Sequence, residues 1–374
     1  MKHIAFLSHI DINLYLFRLH IMKKLKDKGW YVYAIIPEGK YAREFSKYGI
    51  KSLFYKIKRK SLNPLRELKL IFSLQRIFKK LRLDILHTYV VKSNIYGTIA
   101  AKATKVPTVI NSITGLGSFY IENTRKANFV KWIIESLYKY AFSYSKKVIF
   151  QNPDDLKYFI TKDIIPLNKA FLVMGSGVDT EKFVFSPKES SSLFRIILVS
   201  RLVRHKGIVE FCEAAKRLKQ KYKNIEFVLV GDFYDGNPYS VSKEYIYNLN
   251  EKGIINFLGW RDDIDRLIVE SDVLVLPSYR EGIPNTPLEA MSLGRPIIVA
   301  DTIGCKEVIE DGVNGLKIKA KDIDSLAGAI ESCYLNRSFS RKAGRHGRIK
   351  AEREFSKQKI VDIHLRLYES LCYN

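Results

Sequence analysis

The sequence contains no apolar run of the roughly 18–20 residues that a bilayer-spanning helix needs. It opens on Met1-Lys2-His3 and passes straight into the short run IAFLS, so neither a transmembrane segment nor a signal peptide is expected. The four cysteines, Cys212, Cys305, Cys333 and Cys372, show no CxxC or metal-ligand spacing. That argues against a disulfide framework or zinc module and fits a reducing cytoplasm. The first turn, SHIDINLYLFR, has no Gly-x-Gly-x-x-Gly, which argues against a nicotinamide-dependent epimerase or reductase. No helix-turn-helix, RNP-type or zinc signature is present, so a nucleic-acid-binding protein stays open on charge alone.

Acidic residues are scarce in the first half. Residues 1–180 hold 32 Lys and Arg against 12 Asp and Glu, a net +20, whereas the remaining 194 residues hold 31 against 27. Such asymmetry calls for a polyanionic partner of the first half, a nucleic acid or an anionic membrane surface. Lys56-Ile57-Lys58-Arg59-Lys60 leads into a helical pattern from Pro64 to Leu81 with apolar residues on one face and Arg66, Lys69, Arg76, Lys79 and Lys80 among its polar positions. A basic amphipathic helix of this kind suits the plane of a membrane, and its apolar stripe equally suits packing on a sheet. A second pattern, KANFVKWIIESLYKYAFSYSKK at 126–147, reads as a core helix.

What is abundant is hydrophobic periodicity. β-rich runs at 4–8, 31–37, 51–57, 84–89, 107–113 and 146–152 alternate with helical stretches. A turn-rich break follows at 183–192, and the alternation restarts with runs at 195–201, 225–231, 255–259, 273–278, 296–301 and 314–319. The expectation is an α/β chain of two Rossmann-like, doubly wound domains facing each other across a cleft. They are placed at 1–185 and 190–350, with a C-terminal helix at 351–374 packing back toward the first.

The densest cluster of chemistry follows the run VLVLPS. There REGIPNTPLEA, residues 280–290, lies at the carboxyl end of a buried strand, where open α/β sheets bind ligands. Thr286 as N-cap, Pro287 at the first helical position and Glu289 at the third would form a capping box. The same helix end could instead present its free N–H groups to an anion. Arg201 and Lys206, in SRLVRHKG, sit at another strand-to-helix turn and are either surface cations or a clamp for a diphosphate. Gly259 and Trp260 follow a third strand, where a glycine lets a flat ligand such as a nucleobase come close. Asp263-Ile264-Asp265 opens a helical pattern, so capping and dipole roles fit it better than metal binding.

Taken together, SRLVRHKG, FVLVGD and FLGWRDDIDRLIVESDVLVLPSYREGIPNTPLEAMSLGRPIIVAD resemble glycosyltransferase family 4, the retaining enzymes of GT-B architecture. The resemblance implies that Arg201 and Lys206 bind the donor diphosphate and that Glu289 holds the ribose hydroxyls. It also implies that Glu281 contacts the donor sugar near its reacting carbon and that Asn285, Thr286 and Pro287 form the phosphate-binding turn. No metal and no cofactor beyond the UDP-sugar donor are implied, because fixed cations can neutralise the leaving diphosphate. In the first half FLSH, YLFR, SLNP, KSN, GLGSFY and SLYK are similar to the branch that moves N-acetylgalactosamine onto diphospho-undecaprenol-linked diacetylbacillosamine in bacterial N-glycan assembly. That implies Lys92, Asn94, Gly115 and Gly117 on the acceptor side, His87 as a catalytic candidate, and a peripheral position on the cytoplasmic membrane face. The chain departs from that branch at Val91, where a histidine precedes Lys-Ser-Asn, so O-antigen, lipooligosaccharide and capsule assembly with another sugar stay open. His87 could equally be a satisfied strand residue, and the Gly115–Gly117 segment a plain turn.

Overall fold

In a computed structural model the chain is described at residues 1–58, 61, 63–117, 120–189, 191–234 and 236–372. It divides into two units: Met1–Ser176 with Gln358–Asn374, and Gly177–Lys357, against the expected 1–185, 190–350 and 351–374.

The first unit is built on seven parallel strands: β1 (His3–Ser8), β2 (Tyr31–Ile36), β3 (Lys51–Phe54), β4 (Ile85–Tyr89), β5 (Thr108–Ile113), β6 (Lys147–Phe150) and β7 (Ala170–Leu172). Their order is β3-β2-β1-β4-β5-β6-β7. All but β7 were legible as apolar runs. β7 is a three-residue edge strand with one side chain facing solvent, too short to show a period. Runs such as ILHTY and TVINSI are buried at every position, as strands covered on both faces must be.

Two long helices of this unit begin at side-chain caps. The first, Pro64–Leu81, starts where the sequence signals it: Asn63 accepts hydrogen bonds from the N–H groups of Leu65 and Arg66, and Pro64 occupies the first turn. The second, Arg125–Phe142, is capped by Thr124, which accepts from the N–H of Ala127. Both pack on the helical segment Ser93–Ala103. On the other core, residues 360–368 of the last helix add Ile360, Val361, Leu365, Leu367 and Tyr368 to Ile4, Phe6, Met22 and Ile85, and all nine are buried.

The second unit repeats the plan with six parallel strands: β8 (Phe194–Val199), β9 (Ile225–Val230), β10 (Asn256–Phe257), β11 (Val273–Leu276), β12 (Ile297–Ala300) and β13 (Gly315–Ile318). The order is β10-β9-β8-β11-β12-β13. Both sheets thus reverse direction once, between β1 and β4 and between β8 and β11, and a crevice outside the carboxyl ends of those strands is the ligand position in such sheets.

Candidate functional site

In the second unit the switch point gathers the loops after β8, β11 and β12. The segment after β8 runs through a single 3₁₀ turn, Arg204–Lys206, to Gly207, whose φ of +73° starts the helix Ile208–Lys221. A Cβ at Gly207 would run into Pro277 at the end of β11, so only glycine permits this approach. The N–H of Tyr279 donates to the carbonyl of His205 at 2.9 Å, tying the two loops together. The Tyr279 hydroxyl donates to Glu210 at 2.6 Å. On the other side the N–H of Glu281 donates to the Ile303 carbonyl at 2.8 Å. Gly304 lies so close beneath Glu281 that a Cβ there would strike its backbone.

These constraints deliver Lys206 and Glu281 to one point. The Lys206 Nζ and a Glu281 carboxylate oxygen form a direct ion pair, with side chains only 19 % and 14 % exposed. Arg201 is exposed, its guanidinium 5.4 Å from the centre of the Tyr234 ring. Gly259 takes a left-handed φ of +66° and Trp260 beside it is exposed. The carboxylate of Asp263 accepts from two nitrogens of Arg261, at 2.8 and 2.7 Å, instead of capping the helix Ile264–Glu270. That pairing holds the Asp263 carboxyl below its ordinary value. Among the described residues no group of three or more His, Cys, Asp or Glu gathers that could hold a metal ion.

The expected capping box is not formed. The helix runs Asn285–Ser292 with Pro284 at the N-cap, so Thr286 and Pro287 lie inside the first turn and Glu289 falls beyond it. Proline fits throughout a first turn because no N–H there has an intrahelical acceptor, so it does not mark one position. Glu289 is therefore not engaged at the helix end. Its side chain is half-buried, and it makes no side-chain hydrogen bond among the described residues. Burial pushes its carboxyl up to about 7, against the pull of Lys182 and Lys357. Those two lysines, 107 and 68 positions away in the chain, carry no sequence signal that links them to Glu289.

This geometry sets a prediction with two arms of opposite sign. A carboxyl whose folded value is raised gives its full stability below the unfolded value and loses it as pH rises toward 7. Glu289→Gln removes a charge the fold resists, so the variant should melt above wild type at pH 8 and level with it near pH 4.5. If Glu289 grips donor hydroxyls, the same variant should bind donor about ten- to hundredfold more weakly, the worth of a hydrogen bond to a charged group. Calorimetry against pH and donor titration read the two arms.

In the first unit the residues expected on the acceptor side are deployed differently. His87 is fully buried on β4: its Nδ1 meets the hydroxyls of Tyr368 at 2.7 Å and Tyr89 at 3.0 Å, and its Nε2 meets Ser112 Oγ at 2.8 Å. Burial, with His364 and Arg18 near it, keeps the ring neutral well below its ordinary value. The catalytic candidate is therefore a satisfied core histidine with no open face. Lys92 is buried too, its ammonium donating to Glu67 at 2.6 Å and to the carbonyls of Lys58 and Ser61 at 2.9 and 2.7 Å. All three of its protons are used. Asn94 accepts from Thr88 at 2.7 Å and donates to the Ser112 carbonyl at 2.9 Å. Gly115 and Gly117 hold φ of 122° and 80°, the left-handed backbone of a turn, with Gly117 exposed. Ser118 and Phe119 of the same motif, and Arg59 and Lys60 of the basic run, lie outside the described residues. No local signal marks Val90, a β-branched residue at φ +65° directly after β4, or the π-helical turn that follows at Ser93–Gly97. Both are uncommon and concentrate at functional sites.

Comparison with known proteins extends this picture. Residues 179–350 match the family model for glycosyl transferases group 1, and residues 3–152 match the glycosyl transferase 4-like model. The chain is 34 % identical over 383 residues, 99 % of either chain, to N,N'-diacetylbacillosaminyl-diphospho-undecaprenol alpha-1,3-N-acetylgalactosaminyltransferase of Campylobacter jejuni. It is 32 % identical over 285 residues, 72 % of this chain and 71 % of the other, to UDP-Gal:alpha-D-GlcNAc-diphosphoundecaprenol alpha-1,3-galactosyltransferase of Escherichia coli. A glycosyltransferase from Rickettsia africae superposes with a TM-score of 0.79 at 21 % identity, over 100 % of this chain and 99 % of that one. The chain is a glycosyltransferase of family 4 with the GT-B fold.

Proposed function

We propose that the enzyme moves a hexosamine, N-acetylgalactosamine, from a UDP-sugar to an undecaprenyl-diphosphate-linked saccharide, with retention, at the cytoplasmic membrane face. The observation that carries this reading is the likeness to the Campylobacter enzyme over 99 % of both chains, which includes the acceptor-side unit as well as the donor-side one. The switch-point geometry supplies the chemistry. Lys206, held in place by Glu281, is a cation set at a strand end where a leaving diphosphate would develop charge. On donor binding the ammonium exchanges its carboxylate for phosphate oxygens, which leaves Glu281 free to face the sugar. Arg201, exposed beside the Tyr234 ring, closes on the same diphosphate from outside, and the first-turn N–H groups at Asn285 and Thr286 lack intrahelical acceptors and point the helix dipole at it.

A second reading keeps the acceptor class and changes the sugar: the relative from Escherichia coli is named for UDP-Gal and a GlcNAc-linked diphosphoundecaprenol. A screen of UDP-sugars against short polyprenyl-diphosphate-linked mono- and disaccharides, read by mass spectrometry, decides between them. Product with UDP-N-acetylgalactosamine alone supports the first, product with UDP-galactose alone the second, and no product with any pair overturns both. Turnover should persist in EDTA at a rate close to that with magnesium, because the diphosphate charge is met by Lys206, Arg201 and the helix end. Loss on chelation with recovery on adding Mg²⁺ would contradict that division of labour.

A further inference from the structure

The two long helices that pack on Ser93–Ala103 each carry a second apolar stripe that the core does not use. Both belong to crossovers on one face of the first sheet, since right-handed connections place the helices after β3 and β5 on the same side. In Pro64–Leu81 the buried positions are Glu67, Leu70, Leu74, Phe78 and Leu81. At 3.6 residues per turn the opposite side holds Leu65, Leu68 and Phe72, spaced three and four apart, with Lys69, Arg76 and Lys79 along the same line. In Arg125–Phe142 the buried positions are Ala127, Tyr138, Ala141 and Phe142. Diametrically opposite stand Phe129, Trp132, Ile133 and Tyr140, flanked by Arg125 and Lys126. Leu65, Phe72, Phe129 and Trp132 are each 59–69 % exposed. The Phe129 and Trp132 rings stack on each other at 6.1 Å in the open.

The only carboxylates in these two helices are turned away from the stripes. Glu67 is buried against Lys92 at 2.6 Å, and Glu135 accepts from Tyr158 at 2.6 Å. What faces outward is therefore aliphatic, aromatic and cationic, on a half-chain of net charge +20. The second helix, read from its sequence as core, is half surface.

We propose that these paired stripes are an insertion surface that enters the headgroup region of an anionic bilayer, with Phe129 and Trp132 as its aromatic anchors. Charge complementarity selects this occupant. A second copy of the chain would bring one cationic face against another, and a nucleic acid would match the charge but leave Leu65, Leu68 and Ile133 without a partner. A lipid surface takes both at once, with lysines and arginines at the phosphates and rings at the boundary of the acyl chains. Among the described residues no helix is long and apolar enough to cross a membrane, which leaves insertion from one side. The inference deepens the polyprenyl-acceptor reading and rests on it for its purpose, since a lipid-tailed acceptor must be met at the bilayer.

The test uses the full chain with vesicles of phosphatidylglycerol and phosphatidylcholine in equal parts, and vesicles of phosphatidylcholine alone. Bromine-labelled phosphatidylglycerol should quench the fluorescence of wild type, and Trp132→Phe should lose most of that quenching. Phe129→Ser with Trp132→Ser should lower partitioning to anionic vesicles at least tenfold, and Lys69→Gln with Arg76→Gln and Lys79→Gln should do so by a similar factor at low salt. Both sets replace exposed residues, so turnover on a water-soluble acceptor should stay within twofold of wild type. Vesicle binding without quenching, or unchanged by Phe129→Ser and Trp132→Ser, overturns the proposal. So does self-association in sedimentation that these two substitutions abolish, or duplex DNA competing fully with vesicles. Absent turnover on the soluble acceptor in wild type would instead sink the functional reading, so the two failures are distinguishable.

Discussion

Lys206→Ala should lower kcat by about 10²–10³, the loss seen when one preorganised group facing developing charge is removed. The side chain is 19 % exposed and already held between the loops after β8 and β11 by its pair with Glu281, so little reorganisation is needed as the diphosphate departs. The substitution also leaves Glu281, 14 % exposed, without its counter-ion. Lys206→Arg, which keeps a cation beside Glu281, separates charge from shape: it should retain more kcat than Lys206→Ala if the lost charge is decisive, and be as slow if the fit of the ammonium is decisive. Arg201→Ala should cost less, about tenfold, because the guanidinium is solvated and must be recruited. Steady-state turnover with UDP affinity measured beside it checks all three, and a Lys206→Ala enzyme with more than a tenth of wild-type kcat would remove that residue from the site.

Lys92→Met should destabilise the first unit by about 3–5 kcal/mol, the cost of breaking a buried pair from one side. Its side chain is 11 % exposed and its ammonium bonds Glu67, whose side chain is 9 % exposed, together with the carbonyls of Lys58 and Ser61, so removal leaves a buried carboxylate and two unpaired carbonyls. Adding Glu67→Leu should return much of that loss, because an apolar pair of similar volume is often as stable as the ion pair it replaces. Denaturant melts of the two variants test this. A Lys92→Met protein of wild-type stability and altered acceptor affinity would restore the acceptor-side role that the sequence suggested and the packing disfavours.

The strands were legible because a parallel sheet covered on both faces must be written as unbroken apolar runs, and YVYAII, VLVL and IIVA are such runs. The elements of the candidate donor site were legible in kind: glycines at tight turns, cations at one strand end and a glutamate at another are chemistry placed by local rules. What local rules do not carry is partnership. The resemblance implied Lys92 and Asn94 on the acceptor side and His87 as a catalyst, yet their buried partners include Glu67, Ser112 and Tyr368, 18 to 281 positions away, and only the fold reveals them. The second stripe on Arg125–Phe142 failed in the opposite direction: a helix apolar on two faces reads as buried, and nothing in its own sequence says that one face has no neighbour. The misplaced capping box shows a narrower limit, since an adjacent threonine and proline permit more than one helix start.

His87 and Tyr368, hydrogen-bonded at 2.7 Å, are 281 residues apart, and the whole second unit lies between them. On the ribosome, where chains lengthen at roughly 5–20 residues per second, the first unit emerges early and lacks the helix that seals its core. Residues 177–357, by contrast, form an uninterrupted segment that is complete as soon as it leaves the exit tunnel. The unit that begins the chain is therefore the last to close, and for some ten seconds or more its exposed apolar floor is a surface for chaperones to guard.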